Sequence, residues 1–116
     1  MSLDPVGDLL PLTPAVFYIL FALAEGEKHG YAIMKEVENV SGGQFTMGPA
    51  TLYTTIQRLL ELGLIEETST SSDSERRRRC YRLSRSRRHV FEAELNRMES
   101  LVRSARRRKL VLRGAR

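Results

Sequence analysis

At 116 residues, 41% hydrophobic and 28% charged, the chain has the size and make-up of one small soluble domain. Its longest apolar run, Ala15 to Ala24, is ten residues, too short to cross a bilayer. Asp4 and Asp8 precede that run and no basic leader does, which argues against a secretory signal.

The net charge of +5 conceals an asymmetry. Residues 1–75 hold three basic and eleven acidic side chains, net −8, whereas residues 76–116 hold sixteen basic and three acidic ones, net +13. A basic segment of this kind suits a polyanion, nucleic acid first and an anionic membrane surface second; it also suits a solvated, arginine-rich helix face. The single cysteine, Cys80, cannot close an internal disulfide, and a reducing cytoplasm is the expected compartment.

In chain order, residues 1–12 carry Pro5, Gly7 and Pro11 and read as an extended arm. Thr13-Pro14 is a helix start, an N-cap threonine followed by proline at the first helical position. That helix is expected to run to about Glu25 and to stop at Gly26. Val16 to Phe21 and Leu23 leave it almost no polar face, so it must be covered on most sides, and a partner subunit is implied.

A second helix is expected from Gly30 to Val40. Ile33, Met34, Val37 and Val40 form its buried face, and Ser41-Gly42-Gly43 ends it. A third opens at Pro49 and runs to about Leu62, with Gly63 as its C-terminal cap. Its buried stripe is Leu52, Ile56, Leu59 and Leu60. At about 100° per residue, Ala50, Thr54, Gln57, Arg58 and Glu61 point away from the stripe, with Thr51 and Tyr53 on its borders.

Ile65 to Thr70 and Arg77 to Leu83 read as a β-hairpin about a polar turn at Ser71–Glu75, with Tyr81 and Leu83 on one face and Cys80 and Arg82 on the other. Ser84 is expected to cap a last helix reaching about Lys109. Phe91, Leu95, Met98, Val102 and Ala105 recur on it at 4-3-4-3 spacing, a short heptad seam. The fold class is therefore mainly α with a small hairpin: a winged helix-turn-helix over 13–84, a dimerisation helix over 85–109 and a frayed tail over 110–116.

In a winged helix the third helix enters the major groove and the hairpin touches flanking backbone. Thr54, Gln57 and Arg58 can address base edges, and Thr51 and Tyr53 can give hydroxyls to phosphate, although Tyr53 also suits a core edge. Arg76, Arg77, Arg78 and Arg79 would bring guanidinium groups to phosphates. His29 admits a phosphate contact or a pH response, but a structural hydrogen bond near a helix start is the favoured reading. Cys80 among arginines admits a thiolate, although a half-buried strand cysteine is favoured.

No metal-ligand cluster, Walker loop or nucleophile–base pair is present, which excludes the common enzyme classes; no cofactor and no metal is expected. Two other functions fit parts of the pattern. One is a protein-interaction module, which the basic wing disfavours. The other is membrane-surface binding by the last helix, which its narrow apolar stripe disfavours.

Glu25-Gly26, His29-Gly30-Tyr31, Ser41-Gly42-Gly43, Pro49-Ala50-Thr51-Leu52-Tyr53, Arg58-Leu59, Gly63-Leu64-Ile65 and Arg78 to Ser84 resemble the PadR family of transcriptional regulators, in its smaller form with one short C-terminal helix. The resemblance spans roughly residues 14 to 105. It implies a homodimer whose last helix packs against the partner around the first helix, binding double-stranded DNA at a palindromic operator. It also implies repression, commonly relieved by a small-molecule effector. Thr51, Tyr53 and Arg58 match positions on the recognition helix, and Phe17, Phe21, Phe91, Leu95, Met98 and Val102 are the expected dimerisation residues. Apolar character alone suggests an effector pocket among Phe17, Phe21 and Phe91. Two departures stand out: Thr54 replaces a common proline and Arg87 a common glycine, so the turn before the last helix is expected to be tighter or straighter. The absence of tryptophan rules out the flat-drug sandwich of some relatives.

Overall fold

Thr13 and Pro14 start the first helix as their types require. Thr13 is extended, its Oγ1 accepts the Val16 N–H at 3.3 Å, and α1 runs Pro14–Ala24. The computed structural model describes residues 10–68 and 79–110 of the chain. After α1 come a two-residue strand β1 (Lys28–His29), α2 (Gly30–Val40), α3 (Pro49–Glu61), β2 (Ile65–Thr68) and β3 (Cys80–Leu83). A 3-10 turn (Arg85–Arg87) leads into α4 (Arg88–Arg107).

The sheet is antiparallel, in the order β1-β3-β2. Ile65 pairs with Leu83, and Cys80 lies between His29 and Thr68. Tyr81 and Leu83 are buried while Arg82 between them is exposed, so the alternation read from sequence holds within β3. The hairpin tip lies outside the described residues. Strand β1 was not expected: two residues are too few to show alternation, and it exists by pairing with β3.

The core is built around α1, which packs on α2, α3, α4 and β3. Ile19, Leu20, Ala22 and Leu23 are covered by the chain's own elements, and Ile33, Val37, Leu52, Ile56, Leu59, Leu64, Val90 and Phe91 close over them. Val16, Phe17, Tyr18 and Phe21 remain half-buried. Most of the cover that so apolar a helix needs is thus supplied within one chain.

The last helix begins later than the Ser84 cap predicts. Ser84 is buried, and its N–H bonds the Leu64 carbonyl at 3.0 Å, which extends the β2–β3 pairing by one residue. The backbone is committed to the sheet there and turns through a 3-10 segment closed by Arg87 N–H to Ser84 C=O at 3.2 Å. The helix ends at Arg107, and Lys109 takes a positive φ of 60°.

One charged group sits in this core. The Glu94 carboxylate, wholly covered, accepts Arg97 Nε at 2.7 Å, Arg97 Nη2 at 3.0 Å and the Leu12 N–H at 3.1 Å. The Arg97 hydrogen bonds hold its pKa below the usual glutamate range against the cost of burial, helped by the Leu12 N–H. The described end of the N-terminal arm is anchored to α4 in this way.

Candidate nucleic-acid interface

Helix α3 is fixed by its apolar stripe and by its end. Leu52, Ile56 and Leu59 are fully buried, and Leu60 is partly buried against the same core. Gly63 follows the C-cap with φ of 73°, a left-handed turn that glycine adopts at least cost, and lets the Leu64 N–H reach the Leu59 carbonyl at 3.0 Å. With one face committed, Ala50, Thr51, Tyr53, Thr54, Gln57, Arg58 and Glu61 are all exposed. Tyr53, Thr54, Thr55, Gln57, Arg58 and Glu61 border a shallow open recess along this face. The Thr55 hydroxyl bonds the Thr51 carbonyl at 2.8 Å and is turned back onto the helix. The side chains of Thr54, Gln57 and Arg58 make no hydrogen bond or ion pair with any described residue, so their polar groups are open to an incoming ligand.

Tyr53 is both exposed and packed against the domain. It is 48% exposed, yet its ring lies directly over Gly30, the first residue of α2. A Cβ on residue 30 would stand 2.8 Å from the Tyr53 Cζ and overlap the hydroxyl. Glycine at that position is what lets α2 and α3 approach with a tyrosine between them. His29, just before it, is the N-cap of α2: its Nδ1 accepts the Ala32 N–H at 3.3 Å. This is the structural role favoured from the sequence.

The base of the wing presents a different surface. Arg82 donates from Nε (3.1 Å) and Nη2 (3.0 Å) to Glu66 Oε1, directly across the β2–β3 ladder. Arg79 Nε lies 3.6 Å from Glu67 Oε2. All four side chains are substantially exposed. Tyr81 lies between Arg79 and Arg82 in sequence; burial first, and then the Glu67 carboxylate, push its phenol pKa up. Of the four wing arginines singled out in the sequence, Arg79 is described here. Arg76, Arg77 and Arg78 lie outside the described residues.

Two cations close the C-terminal end of α1, where the sequence shows no basic residue in the last turn. Lys28 Nζ donates to the Ala22 carbonyl at 2.7 Å, and Arg88 Nη2 reaches the Ala24 carbonyl at 3.5 Å. Both favour the negative end of the helix dipole. Only the fold brings residues six and 64 positions away to those carbonyls.

The expected dimerisation residues divide into two groups. Phe91 is buried, with its ring 5.6 Å from that of Phe17 and 5.9 Å from that of Phe21. Those three aromatics fill one another's space inside the chain. Beyond them Leu95 is 38% and Val102 47% exposed, and Met98 between them is half-buried. Leu101, which the heptad reading missed, is 58% exposed beside them. The 3.6-residue period of a straight helix carries the apolar stripe toward it.

Among the described residues no cluster of three metal-ligating side chains occurs, and no helix is long and apolar enough to cross a membrane.

Comparison with known proteins places this arrangement. The Transcriptional regulator PadR-like family model matches residues 19–93. Over 47 residues the chain is 38% identical to the transcriptional regulator YqjI of Escherichia coli (strain K12), covering 40% of this chain and 23% of that relative's length. A transcriptional regulator from Clostridium thermocellum, Cth-833, has the same fold, with a TM-score of 0.65 at 21% identity over 92% of this chain and 96% of its own. Bacillus subtilis PadR, solved in complex with operator DNA, gives 0.63 at 22% identity over 73% of this chain and 47% of its own. With the family match covering most of the chain and the winged-helix architecture agreeing with it, this protein belongs to the PadR-like family of transcriptional regulators.

Proposed function

We propose that the chain is a sequence-specific double-stranded DNA-binding regulator that acts as a homodimer in the cytoplasm. The observation that carries this reading is the outer face of α3. Ala50, Thr51, Tyr53, Thr54, Gln57 and Arg58 are exposed together on a helix whose opposite face is locked into the core. In the major groove, Arg58 would address guanine and Gln57 adenine, and Thr54 either. Thr51 and Tyr53 would contact phosphate. Arg76, Arg77, Arg78 and Arg79 would take flanking phosphates through the wing. The operator complex of B. subtilis PadR supports DNA as the ligand.

The homodimer would form through Leu95, Met98 and Val102 of α4, with Phe17, Phe21 and Phe91 at the inner edge of the contact. Two-fold symmetry then implies a palindromic operator with half-sites about 34 Å apart. The regulator would act as a repressor, released by a small-molecule effector.

The test is fluorescence anisotropy with duplex from upstream of the protein's own coding sequence, against a scrambled duplex, over a series of salt concentrations. The proposal expects tighter binding to the native duplex and affinity that falls as salt rises. Equal binding to both duplexes would remove sequence specificity from the reading. No binding at low salt would turn the function toward protein interaction. For the dimer, light scattering on Leu95→Arg/Met98→Arg should give a monomer, and a persisting dimer would refute that interface.

A further inference from the structure

The base of the wing carries a feature that phosphate binding alone does not explain. Strands β2 and β3 together hold Glu66, Glu67 and Arg82, with Arg79 immediately before β3. Each arginine faces a glutamate. Arg82 gives two N–H groups to one oxygen of Glu66, and Arg79 stands 3.6 Å from Glu67. The formal charges of these four side chains sum to zero, the two arginines coming from the basic part of the chain and the two glutamates from the acidic part.

We infer that Glu66 and Glu67 are specificity-determining residues: by pairing with Arg82 and Arg79 they cancel the charge of the wing base and hold non-specific phosphate binding down. The inference rests on the DNA-binding reading above. Its logic is a competition. Phosphate contacts carry affinity without sequence information, and each one adds to the salt-dependent, sequence-independent part of binding. A guanidinium already paired must exchange a carboxylate for a phosphate, and the released carboxylate then repels the same backbone. Exposed ion pairs are weak, so the exchange is affordable where α3 is seated on its cognate bases and holds the wing against the duplex. On non-cognate DNA, with no such anchoring, it is not. Arg58 on α3 has no carboxylate partner among the described residues, so base reading is left unopposed while backbone attraction is restrained.

The test compares Glu66→Gln/Glu67→Gln with Glu92→Gln/Glu99→Gln. The control pair makes the same charge change and also frees two arginines, because Glu92 pairs with Arg88 and Glu99 with Arg103 on α4. Anisotropy is measured on native and scrambled duplex across salt, and elution from heparin serves as a readout that needs no operator. For the wing variant we expect several-fold tighter binding to scrambled duplex, with a salt slope steeper by up to about 0.9 per carboxylate removed. Native duplex should gain less, so the specificity ratio falls, and elution from heparin should move to higher salt. The control should move much less in each measurement. Equal shifts in the two variants, or an unchanged specificity ratio, would overturn the inference. If the wild type binds no duplex, the DNA reading itself fails, and heparin still shows whether the two glutamates mask the wing arginines.

Discussion

The outer face of α3 and the base of the wing are both polar, both exposed and both offer arginine to solvent, yet they are built on opposite terms. On α3 the apolar stripe is consumed by the core, and the side chains of Thr54, Gln57 and Arg58 are left without partners among the described residues. On the wing Arg79 and Arg82 are each met by a glutamate from the neighbouring strand. A surface that reads bases needs donors and acceptors that are not already committed, because each bidentate match discriminates by about 1–3 kcal/mol. A surface that grips backbone supplies affinity indiscriminately and gains from restraint.

The largest effect should come from breaking the α3 side of this contrast. Gln57→Ala/Arg58→Ala should remove about 1–3 kcal/mol per lost bidentate contact on the native duplex and little on scrambled duplex, as read by anisotropy. An equal loss on both would make α3 a phosphate grip. Next comes the support beneath Tyr53. Gly30→Ala meets the far end of the exposed Tyr53 side chain, which must swing off α2; denaturant melts should change by no more than about 0.5 kcal/mol, while anisotropy should show weakened DNA binding as Tyr53 is displaced. On the wing, Arg79→Ala should lower affinity for the native duplex more than for scrambled duplex, and flatten the salt slope on the native duplex by less than about 0.9, since Arg79 gives up Glu67 for phosphate only where α3 is seated.

The smallest effect on DNA reading should come from the Glu94 anchor, which lies away from both surfaces. Its folded pKa is depressed, so the stability it contributes is present above its unfolded value of about 4.3 and is lost as pH falls through the lower folded value. Thermal melts of the wild type should therefore lose stability in that acid window more steeply than those of Glu94→Gln. The variant should also be less stable at neutral pH, because Arg97 loses its charged partner.

Much of the α3 side was legible in the sequence. Threonine, proline and glycine mark the starts and ends of helices through local backbone chemistry, and the stripe of Leu52, Ile56 and Leu59 fixes by elimination the residues that face outward. The wing side was less so. Four consecutive arginines are conspicuous in sequence, whereas the pairing of Arg82 with Glu66 spans 16 residues and depends on strand register. The same limit hid the Glu94–Leu12 bond across 82 residues, strand β1, and the cations at the end of α1. Phe91 shows the converse. Its heptad spacing is real, but the spacing alone does not say that its ring turns inward onto Phe17 and Phe21 while Leu95 and Val102 stay exposed.

The most direct test of the central claim is an amide and side-chain NMR titration of the intact protein with native duplex, followed through the α3 resonances. The account predicts that the largest shifts gather on Ala50, Thr51, Tyr53, Thr54, Gln57 and Arg58, with the Gln57 side-chain amide among them, and that scrambled duplex perturbs the wing far more than α3. Shifts confined to α4 or to the wing, with α3 unmoved by native duplex, would contradict it.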